Sequence, residues 1–126
     1  MAVIEVSFDD ENDLINFIVI GEASLGDMLD VIEKYYPDRE FKKVIWNLQD
    51  GTVKRLTGAD LLQLAQRVKA VSCPSASAKT AIVTASAIDF GLARMYETMI
   101  ENENIQIGYY VFKSLAMAKY WLYSTE

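Results

Sequence analysis

Three hydroxyl residues in this chain each stand three positions before an aspartate, a spacing that is compatible with two kinds of chemistry. The pairs are Ser24 with Asp27, Thr57 with Asp60, and Ser86 with Asp89. A hydroxyl becomes a nucleophile when a base activates it, and the usual base is histidine, of which the chain has 0. The same spacing starts an α-helix, because the hydroxyl accepts from the third amide of the helix and the carboxylate suits the helix dipole. We therefore interpret the three pairs as helix starts, each worth about 1 kcal/mol.

The absence of histidine excludes further classes of site. Cys-His catalysis and histidine-based zinc sites are ruled out. The sequence also contains no G-x-x-x-x-G-K-[ST] loop and no G-x-G-x-x-G fingerprint, so the usual glycine-rich nucleotide sites have no support. The remaining candidate acids, Asp60 and Asp89, stand where helix starts need them. We expect no cofactor and no metal, and an enzyme is the least favoured function.

An acidic cluster lies near the N-terminus, at Asp9, Asp10, Glu11 and Asp13. Carboxylates in such numbers can hold a hard cation, but the cluster lacks the spacing and the glycine of a Ca²⁺-binding loop. Asp and Asn are also common in tight turns, because their side chains bond to the local backbone. We interpret the cluster as the solvated tip of a hairpin.

Cysteine use and hydropathy indicate the compartment. Cys73 is the single cysteine, which excludes an internal disulfide and agrees with a reducing environment. No lysine or arginine adjoins it, so we expect an unreactive loop thiol. The N-terminal segment lacks the basic flank and long apolar core of a signal peptide, and no apolar run approaches the ~20 residues of a membrane span. We expect a cytoplasmic protein.

Composition and charge limit the partners. The 126 residues are 52% hydrophobic and 24% charged, which is typical of one domain over residues 1–126. The formal net charge of −6 makes nucleic acid an unlikely partner, because phosphate binding needs a basic face. Anionic membrane is disfavoured for the same reason, although a local apolar contact with lipid stays open.

Hydrophobic periodicity predicts alternating strands and helices after an N-terminal hairpin. We expect strands over 4–8, 14–20, 43–48, 81–85 and 105–112, helices over 24–36, 58–71, 87–102 and 115–123, and loops over 49–56 and 72–78. The short turn between the first two strands makes them antiparallel. The strand over 81–85 has no polar alternation, so we place it in the middle of the sheet. The predicted fold is α/β, with a mixed sheet of about five strands and helices packed on it.

The helix over 87–102 carries the residues of greatest interest. A helical wheel predicts one face directed to the core, made of Ile88, Leu92, Met95, Tyr96 and Met99. The opposite face contains Phe90, Arg94, Glu97 and Glu101. Arg94 and Glu97 have the spacing of an ordinary surface ion pair. Phe90 either packs at the helix entry or forms, with Arg94, a contact patch for a ligand or partner.

The aromatic residues permit two interpretations. They include Tyr35, Tyr36, Phe41, Trp46, Phe90, Tyr96, Tyr109, Tyr110, Phe112 and Trp121. Core packing is the favoured interpretation, because large apolar side chains are usually buried. Tyrosine also prefers a polar outlet for its hydroxyl, so part of this set is a candidate lining for an apolar ligand pocket.

The order of elements and several segments resemble the SpoIIAA-like group of the STAS domain superfamily. The resemblance spans nearly the whole chain, and its most specific part is the Phe90-Gly91-Leu92-Ala93-Arg94-Met95-Tyr96 segment with the late Trp121-Leu122. Further carriers are Val44-Ile45-Trp46-Asn47-Leu48, Ala81-Ile82-Val83, Val111-Phe112-Lys113-Ser114-Leu115 and Ala118. The resemblance implies a bacterial, non-enzymatic regulatory or binding domain with a protein partner or a small apolar ligand.

Anti-sigma-factor antagonists of this superfamily are phosphorylated on a serine at the start of their second helix, in a motif that runs Asp-Leu-Ser, a short loop, then Asp-Ser-Ser-Gly. Asn47-Leu48-Gln49 takes the first part here, and Arg55-Leu56-Thr57-Gly58 takes the second. The resemblance therefore implies a phospho-acceptor at Thr57. Asn47 replaces the first aspartate, and Arg55 with Leu56 replaces the Asp-Ser before the acceptor, so a plain helix cap competes with the phospho-switch.

SpoIIAA-like domains also look like small CRAL-TRIO lipid-binding domains, whose helices open over an apolar pocket. That likeness implies a pocket for an apolar or lipid-like molecule, with Phe90 and other aromatics as contacts. The candidate ligand or partner contacts are Trp46, Asn47, Gly58, Phe90, Arg94 and Tyr96. A homodimer is a further expectation.

Overall fold

Five strands and four helices alternate in the computed structural model, which describes residues 2–37, 42–71, 78–105 and 107–124. The elements are β1 (Val3–Asp9), β2 (Leu14–Glu22), α1 (Leu25–Tyr35), β3 (Lys43–Thr52), α2 (Gly58–Val71), β4 (Lys79–Thr84), α3 (Ala87–Asn102), β5 (Gly108–Phe112) and α4 (Leu115–Tyr123). This order confirms the predicted one. Cys73 and most of the predicted 72–78 loop lie outside the described residues.

The strands form one mixed sheet in the order β1-β2-β3-β4-β5. β1 pairs with β2 antiparallel, and the later pairs are all parallel. Phe17, Trp46, Ile82 and Val111 are in register across β2 to β5. The predicted α/β fold with an N-terminal hairpin is confirmed, and β4 lies inside the sheet between β3 and β5.

Local hydrogen bonds close the hairpin tip. Asn12 Nδ2 donates to Asp9 Oδ2 at 2.7 Å, and Lys43 Nζ donates to the Asn12 carbonyl at 2.9 Å. Asp13 has φ 53°, a left-handed conformation that Asp and Asn tolerate better than most residues. The interpretation of the acidic cluster as a hairpin tip is confirmed.

The two faces of the sheet are covered differently. The three-helix face, under α1, α2 and α3, contains the larger core, in which Phe17 stacks on Trp46 with ring centroids 4.3 Å apart. The one-helix face, under α4, contains a smaller cluster. Its buried members are Leu14, Ile45, Ala81, Val83, Ala118 and Leu122. Side chains alternate between these faces along each strand, so neighbours in sequence serve different layers.

β3 is longer than predicted and β5 is shorter. β3 continues to Thr52 through the predicted loop, because Asp50 to Thr52 pair with Ile20 to Glu22 beyond an irregularity in β2. Gly51 permits this pairing, since a Cβ there would collide with the Val19 carbonyl oxygen. β5 begins at Gly108 rather than at 105.

The predicted inner face of α3 is partly wrong. Ile88 and Met95 are 62% and 45% exposed, whereas Phe90 is half-buried and packs against the core. The buried positions are Asp89, Ala93 and Ile100, with Leu92, Tyr96 and Met99 partly buried beside them. Asp89 and Ala93 count little on a helical wheel that is read by hydrophobicity. The predicted inner face was therefore centred on the larger apolar residues.

Candidate functional site

The hydroxyl-aspartate pairs start helices, as predicted. Ser24 Oγ accepts from the Asp27 amide at 3.2 Å, and Asp27 Oδ2 accepts from the Ser24 amide at 3.0 Å. Thr57 and Asp60 make the same two bonds at 3.1 and 3.0 Å. Both pairs are complete capping boxes, which satisfy amides that a helix start leaves free.

The third pair departs from this pattern. Ser86 Oγ accepts from the Asp89 amide at 3.1 Å, so Ser86 is the cap. The Asp89 carboxylate instead accepts from Thr52 Oγ1 at 2.9 Å and from the Val53 amide at 3.0 Å. Asp89 is 1% exposed. It therefore joins the start of α3 to the segment that leaves β3, a contact that the sequence spacing did not indicate.

A cavity lies on the three-helix face, between the sheet and α1, α2 and α3. Its lining is Met28, Ile32, Trp46, Leu48, Val53, Leu56, Leu61, Leu64, Ile82, Leu92, Ala93 and Tyr96. It offers about 50 Å³ of space to the centres of water-sized molecules. A water needs at least about 10–15 Å³ on that measure, so roughly four would fit. Because the lining is apolar apart from two aromatic polar groups, the space suits an apolar molecule better.

Tyr96 lines the cavity, and two further tyrosines contact its lining, Tyr36 at Trp46 and Tyr109 at Tyr96. We call Tyr36, Tyr96 and Tyr109 the tyrosine end. Tyr96 and Tyr109 meet edge to face, with ring centroids 5.8 Å apart. Trp46 Nε1 donates to the Tyr36 hydroxyl at 3.1 Å. Burial raises the pKa of all three phenols, and electrostatic interactions among them raise it further, so each stays neutral at physiological pH.

Two of the six predicted contacts line this cavity, and Asn47 is one of the four that lie elsewhere. Trp46 and Tyr96 both line it, on β3 and α3 respectively. Asn47 lies between Trp46 and Leu48, so its side chain is on the one-helix face, where Oδ1 accepts from the Gln49 amide at 2.9 Å. Asn47 is thus separated from the cavity by the sheet.

Phe90 and Arg94 also lie outside the cavity lining. Lys113 Nζ stands 4.9 Å from the centroid of the Phe90 ring, as in a cation–π contact. Arg94 is exposed and pairs with Glu97 at 3.6 Å, as its spacing predicted. Burial raises the pKa of Glu97 while Arg94 lowers it.

Thr57 and Gly58 are exposed at the start of α2. A Cβ on Gly58 would stand 3.9 Å from Met95 Sδ, an ordinary contact distance, so this glycine lies beside α3 with room for a side chain. Two cations precede Thr57, and both pair with Glu22: Lys54 at 3.6 Å, and Arg55 directly. The implied phospho-acceptor is accessible, and it lies apart from the cavity.

Most of the cavity lining was missed as a site by sequence reasoning. Leu48, Leu61, Leu64 and Ile82 lie in predicted strands and helices, were not singled out there, and belong to the larger core. An apolar residue beside a cavity and one in a filled core give the same sequence signal. Only the aromatic residues, with their polar atoms, distinguished this region.

Metal-binding clusters and membrane-spanning helices are both absent from the described residues. No group of three or more His, Cys, Asp and Glu side chains in them is arranged to hold a metal ion. In the same residues, no helix has both the length and the apolar character needed to cross a membrane.

Comparison with known proteins identifies the fold. No family model matches the chain, and no curated protein matches it in sequence. Among solved structures, it is similar to the crystal structure at 2.25 Å resolution of an uncharacterized protein of the DUF3478 family, with a SpoIIAA-like fold, from Shewanella loihica PV-4. The likeness has a TM-score of 0.55 at 14% identity and covers 96% of this chain and 93% of that one. With the order of elements and the mixed sheet, this shows that the chain has a SpoIIAA-like fold.

Proposed function

We propose that this protein is a non-enzymatic binding domain whose ligand is a small apolar molecule, held in the cavity between the sheet and α1, α2 and α3. The observation that carries the proposal is the apolar lining itself, supplied by three helices, two strands and the segment after β3. Apolar side chains around such a space gain dispersion energy and lose contact with water when an apolar molecule packs against them. Both changes favour binding of an apolar ligand.

The size of the cavity limits the ligand. At about 50 Å³ of accessible space it is about a third of the ~150 Å³ of an engineered cavity that binds benzene, so a small ring fits when neighbouring side chains shift. A long acyl chain is larger, and it enters only if the helices separate from the sheet. A lipid ligand therefore requires an open form of the domain, whereas a small apolar ligand does not.

The acidic residues support a binding role over catalysis. Asp60 is bonded to the start of α2, and Asp89 is bonded to Thr52 and Val53. The lining contains no carboxylate, lysine or arginine among the described residues. General acid–base catalysis needs such a group within hydrogen-bonding reach of the substrate.

Methyl NMR with benzene as the probe tests the proposal. We expect saturable shifts at Leu48, Leu61, Leu64 and Ile82, with small effects on the one-helix face. Leu61→Phe places extra volume in the cavity and is expected to weaken benzene binding at least tenfold. Leu62→Phe is the matched control, because Leu62 is 40% exposed on the same helix.

Tryptophan fluorescence gives an independent measurement. In a Trp121→Phe background the signal comes from Trp46, which lines the cavity, and we expect it to change with the same midpoint as the methyl shifts. Benzene that gives no saturable shift in the wild type, or equal binding by both phenylalanine variants, would rule out this cavity as the ligand site.

A second candidate function is a phospho-switch at Thr57. Two observations favour it: the hydroxyl is exposed at a helix start, and Lys54 and Arg55 lie within three residues. A phosphate there is stabilised by the helix dipole and competes with Glu22 for both cations. Ile88 and Met95 expose apolar surface on the neighbouring helix, where a partner would sense the new charge.

Mass mapping of protein isolated from its own cells tests the switch. We expect a phosphorylated peptide containing Thr57, and loss of it in Thr57→Ala. Thr57→Ser keeps both the cap and an acceptor and serves as the control. An unmodified Thr57 under every growth condition assayed leaves only the capping role.

A further inference from the structure

β1 is an edge strand, and no other strand of the described residues pairs with its outer side. It lies at one end of the sheet, and its pairing with β2 is continuous from Val3 to Asp9. Proteins usually protect such an edge with a lysine, a proline or a bulge, each of which hinders the addition of another strand. The seven residues of β1, VIEVSFD, include no lysine and no proline, and their register with β2 has no bulge. β1 therefore lacks the usual protection of an edge.

One side of this edge is apolar and incompletely buried. Ile4, Val6 and Phe8 alternate with more polar residues, so they share a face of the sheet. Ile4 and Val6 pack against the larger core, which places this row on the three-helix face, but both are only half-buried. Phe8 is 43% exposed, and its ring lies 6.1 Å from that of Tyr35 on α1. A strand added beyond β1 would cover more of this apolar row and would bond to the backbone of the edge.

The apolar row is complementary to a second copy of itself. In a symmetric dimer, a two-fold axis perpendicular to the sheet makes two β1 strands antiparallel, and residues directly opposite share a face. An axis at Val6 places Val6 opposite Val6 and Ile4 opposite Phe8 of the second copy. This register uses all seven residues of β1, and it joins the two apolar rows into one.

The charges of β1 favour the same register. With the axis at Val6, Glu5 lies opposite Ser7 of the second copy, and Asp9 lies opposite Val3, so no two carboxylates meet. An axis at Glu5 places that residue opposite itself, and an axis at Ser7 places Glu5 opposite Asp9. Like charges directly opposite destabilise a strand pair. Axes further along the strand pair fewer residues. One antiparallel register is therefore both the longest and free of opposed charges.

We propose that this chain forms a homodimer in which β1 pairs antiparallel with β1 of a second copy, with Val6 at the two-fold axis. Two five-stranded sheets then become one continuous sheet. Because the axis is perpendicular to the sheet, the three-helix faces of both copies lie on the same side, and so do the two cavities. Each copy has a net charge of −6, and this repulsion keeps the affinity modest.

Sedimentation equilibrium tests the dimer and its register together. For the wild type, we expect the mass to approach twice 14.2 kDa as the protein is concentrated to about 1 mM. Ser7→Glu places a new carboxylate opposite Glu5 of the second copy, and symmetry makes this happen twice. We expect the dimer to weaken about tenfold. The double variant Ser7→Glu with Glu5→Lys has opposite charges at both places, and it is expected to bind at least as tightly as the wild type.

Thr98→Glu is the matched control. It adds the same charge at an exposed position on α3, which packs near the other end of the sheet. Because solvent and salt screen charges that are further apart than about 8 Å, we expect the dissociation constant to change less than about twofold. Circular dichroism of each variant checks that the fold is retained.

A measurement on the wild type alone determines the register. In a mixture of ¹³C-labelled and unlabelled protein, isotope-filtered NOEs arise only between copies. We expect them between the methyl groups of Ile4 and the ring of Phe8. These residues are about 13 Å apart along β1 within one copy and directly opposite each other in the dimer. This result does not depend on any variant, so it decides the matter even if Ser7→Glu does not fold.

Three outcomes overturn the proposal. The first is a monomer at every concentration, including one whose β1 pairs with a different protein. The second is a dimer whose filtered NOEs come from β5 or α4. The third is a dimer that Ser7→Glu and Thr98→Glu affect equally, or that the double variant does not restore. The proposal is independent of the ligand, so failure of benzene to bind would leave it standing.

Discussion

The two faces of this sheet are built from the same strands, and the cavity described above lies on the three-helix face. On the one-helix face, α4 places Ala118 against the sheet, and Ala118 and Ala81 are both 0% exposed. Small side chains there let the helix approach closely. On the three-helix face, three helices bring large side chains together, and these leave space around Trp46 and Tyr96. The comparison suggests that one face serves stability and the other has room for a ligand.

The largest expected difference between the two faces is in how their tyrosines affect folding stability at alkaline pH. Tyr109 and Tyr110 are neighbours on β5, with Tyr109 buried on the three-helix face and Tyr110 47% exposed on the other. The pKa values of Tyr36, Tyr96 and Tyr109 are raised by burial above the ordinary value of about 10. These groups stay protonated in the folded protein after the unfolded chain ionises, so stability is lost as pH rises above 10.

At pH 11 this loss is up to about 4 kcal/mol in the free energy of unfolding, at about 1.4 kcal/mol per group. Urea unfolding at pH 9 and pH 11 measures it. Tyr109→Phe is expected to remove about a third of the loss, and Tyr110→Phe, on the opposite face of the same strand, is the control. Equal behaviour of these two variants would contradict the assignment of the effect to the tyrosine end.

The next effect concerns the contact that holds the segment after β3 over the cavity. Asp89→Ala leaves the buried Val53 amide without its acceptor, and we expect a loss of about 3 kcal/mol in the free energy of unfolding. Asp89→Asn keeps an acceptor oxygen and is expected to lose less. Asp60→Ala, which removes half of a capping box, is expected to cost about 1 kcal/mol. Urea unfolding ranks the three, and an Asp89→Asn loss as large as that of Asp89→Ala would point to charge as the cause.

A pair of alanines compares the packing of the faces directly. Ala118→Leu adds volume where α4 meets the sheet, and we expect a loss of about 2 kcal/mol from overpacking. Ala93→Leu adds the same volume beside the cavity, and we expect a change of less than about 1 kcal/mol. Thermal unfolding checks both. An equal cost at the two positions would mean that the cavity is not space that a side chain can fill.

The smallest effect is at the surface of α3. Desolvation raises the pKa of Glu97, Arg94 lowers it, and Glu101 raises it. Arg94→Ala is therefore expected to raise the pKa of Glu97 further, as measured by carboxyl ¹³C NMR titration. A raised carboxyl pKa makes stability fall as pH rises through that range, by a few tenths of a kcal/mol here. Arg67→Ala removes a separate pair with Glu33 and is expected to leave the titration of Glu97 unchanged.

The sequence predicted the element types well because each has a local cause. Ser24 and Thr57 mark helix starts through their own capping bonds, and the apolar run of β4 follows from its position inside the sheet. The predicted end of β3 was wrong because its pairing depends on β2, which is distant in sequence, and on the close approach of Gly51 to Val19.

The candidate site was less predictable, for a different reason. Asp89 is typical of a first helical turn, and its actual partners, Thr52 and Val53, are more than 30 residues away. The cavity is the space that side chains from six segments leave between them. Trp46 and Tyr96 were identified by their aromatic character, but nothing local indicated that they line the same space.

The hydrogen bond between the Val53 amide and Asp89 also makes the opening of this side of the cavity measurable. The Val53 amide exchanges its proton with solvent only when this buried contact opens. If molecules enter beside Val53, this contact opens at least as often as that single amide exchanges, because each exchange event requires an opening. Hydrogen exchange at Val53, measured with and without an occupant, would then show whether binding slows that opening.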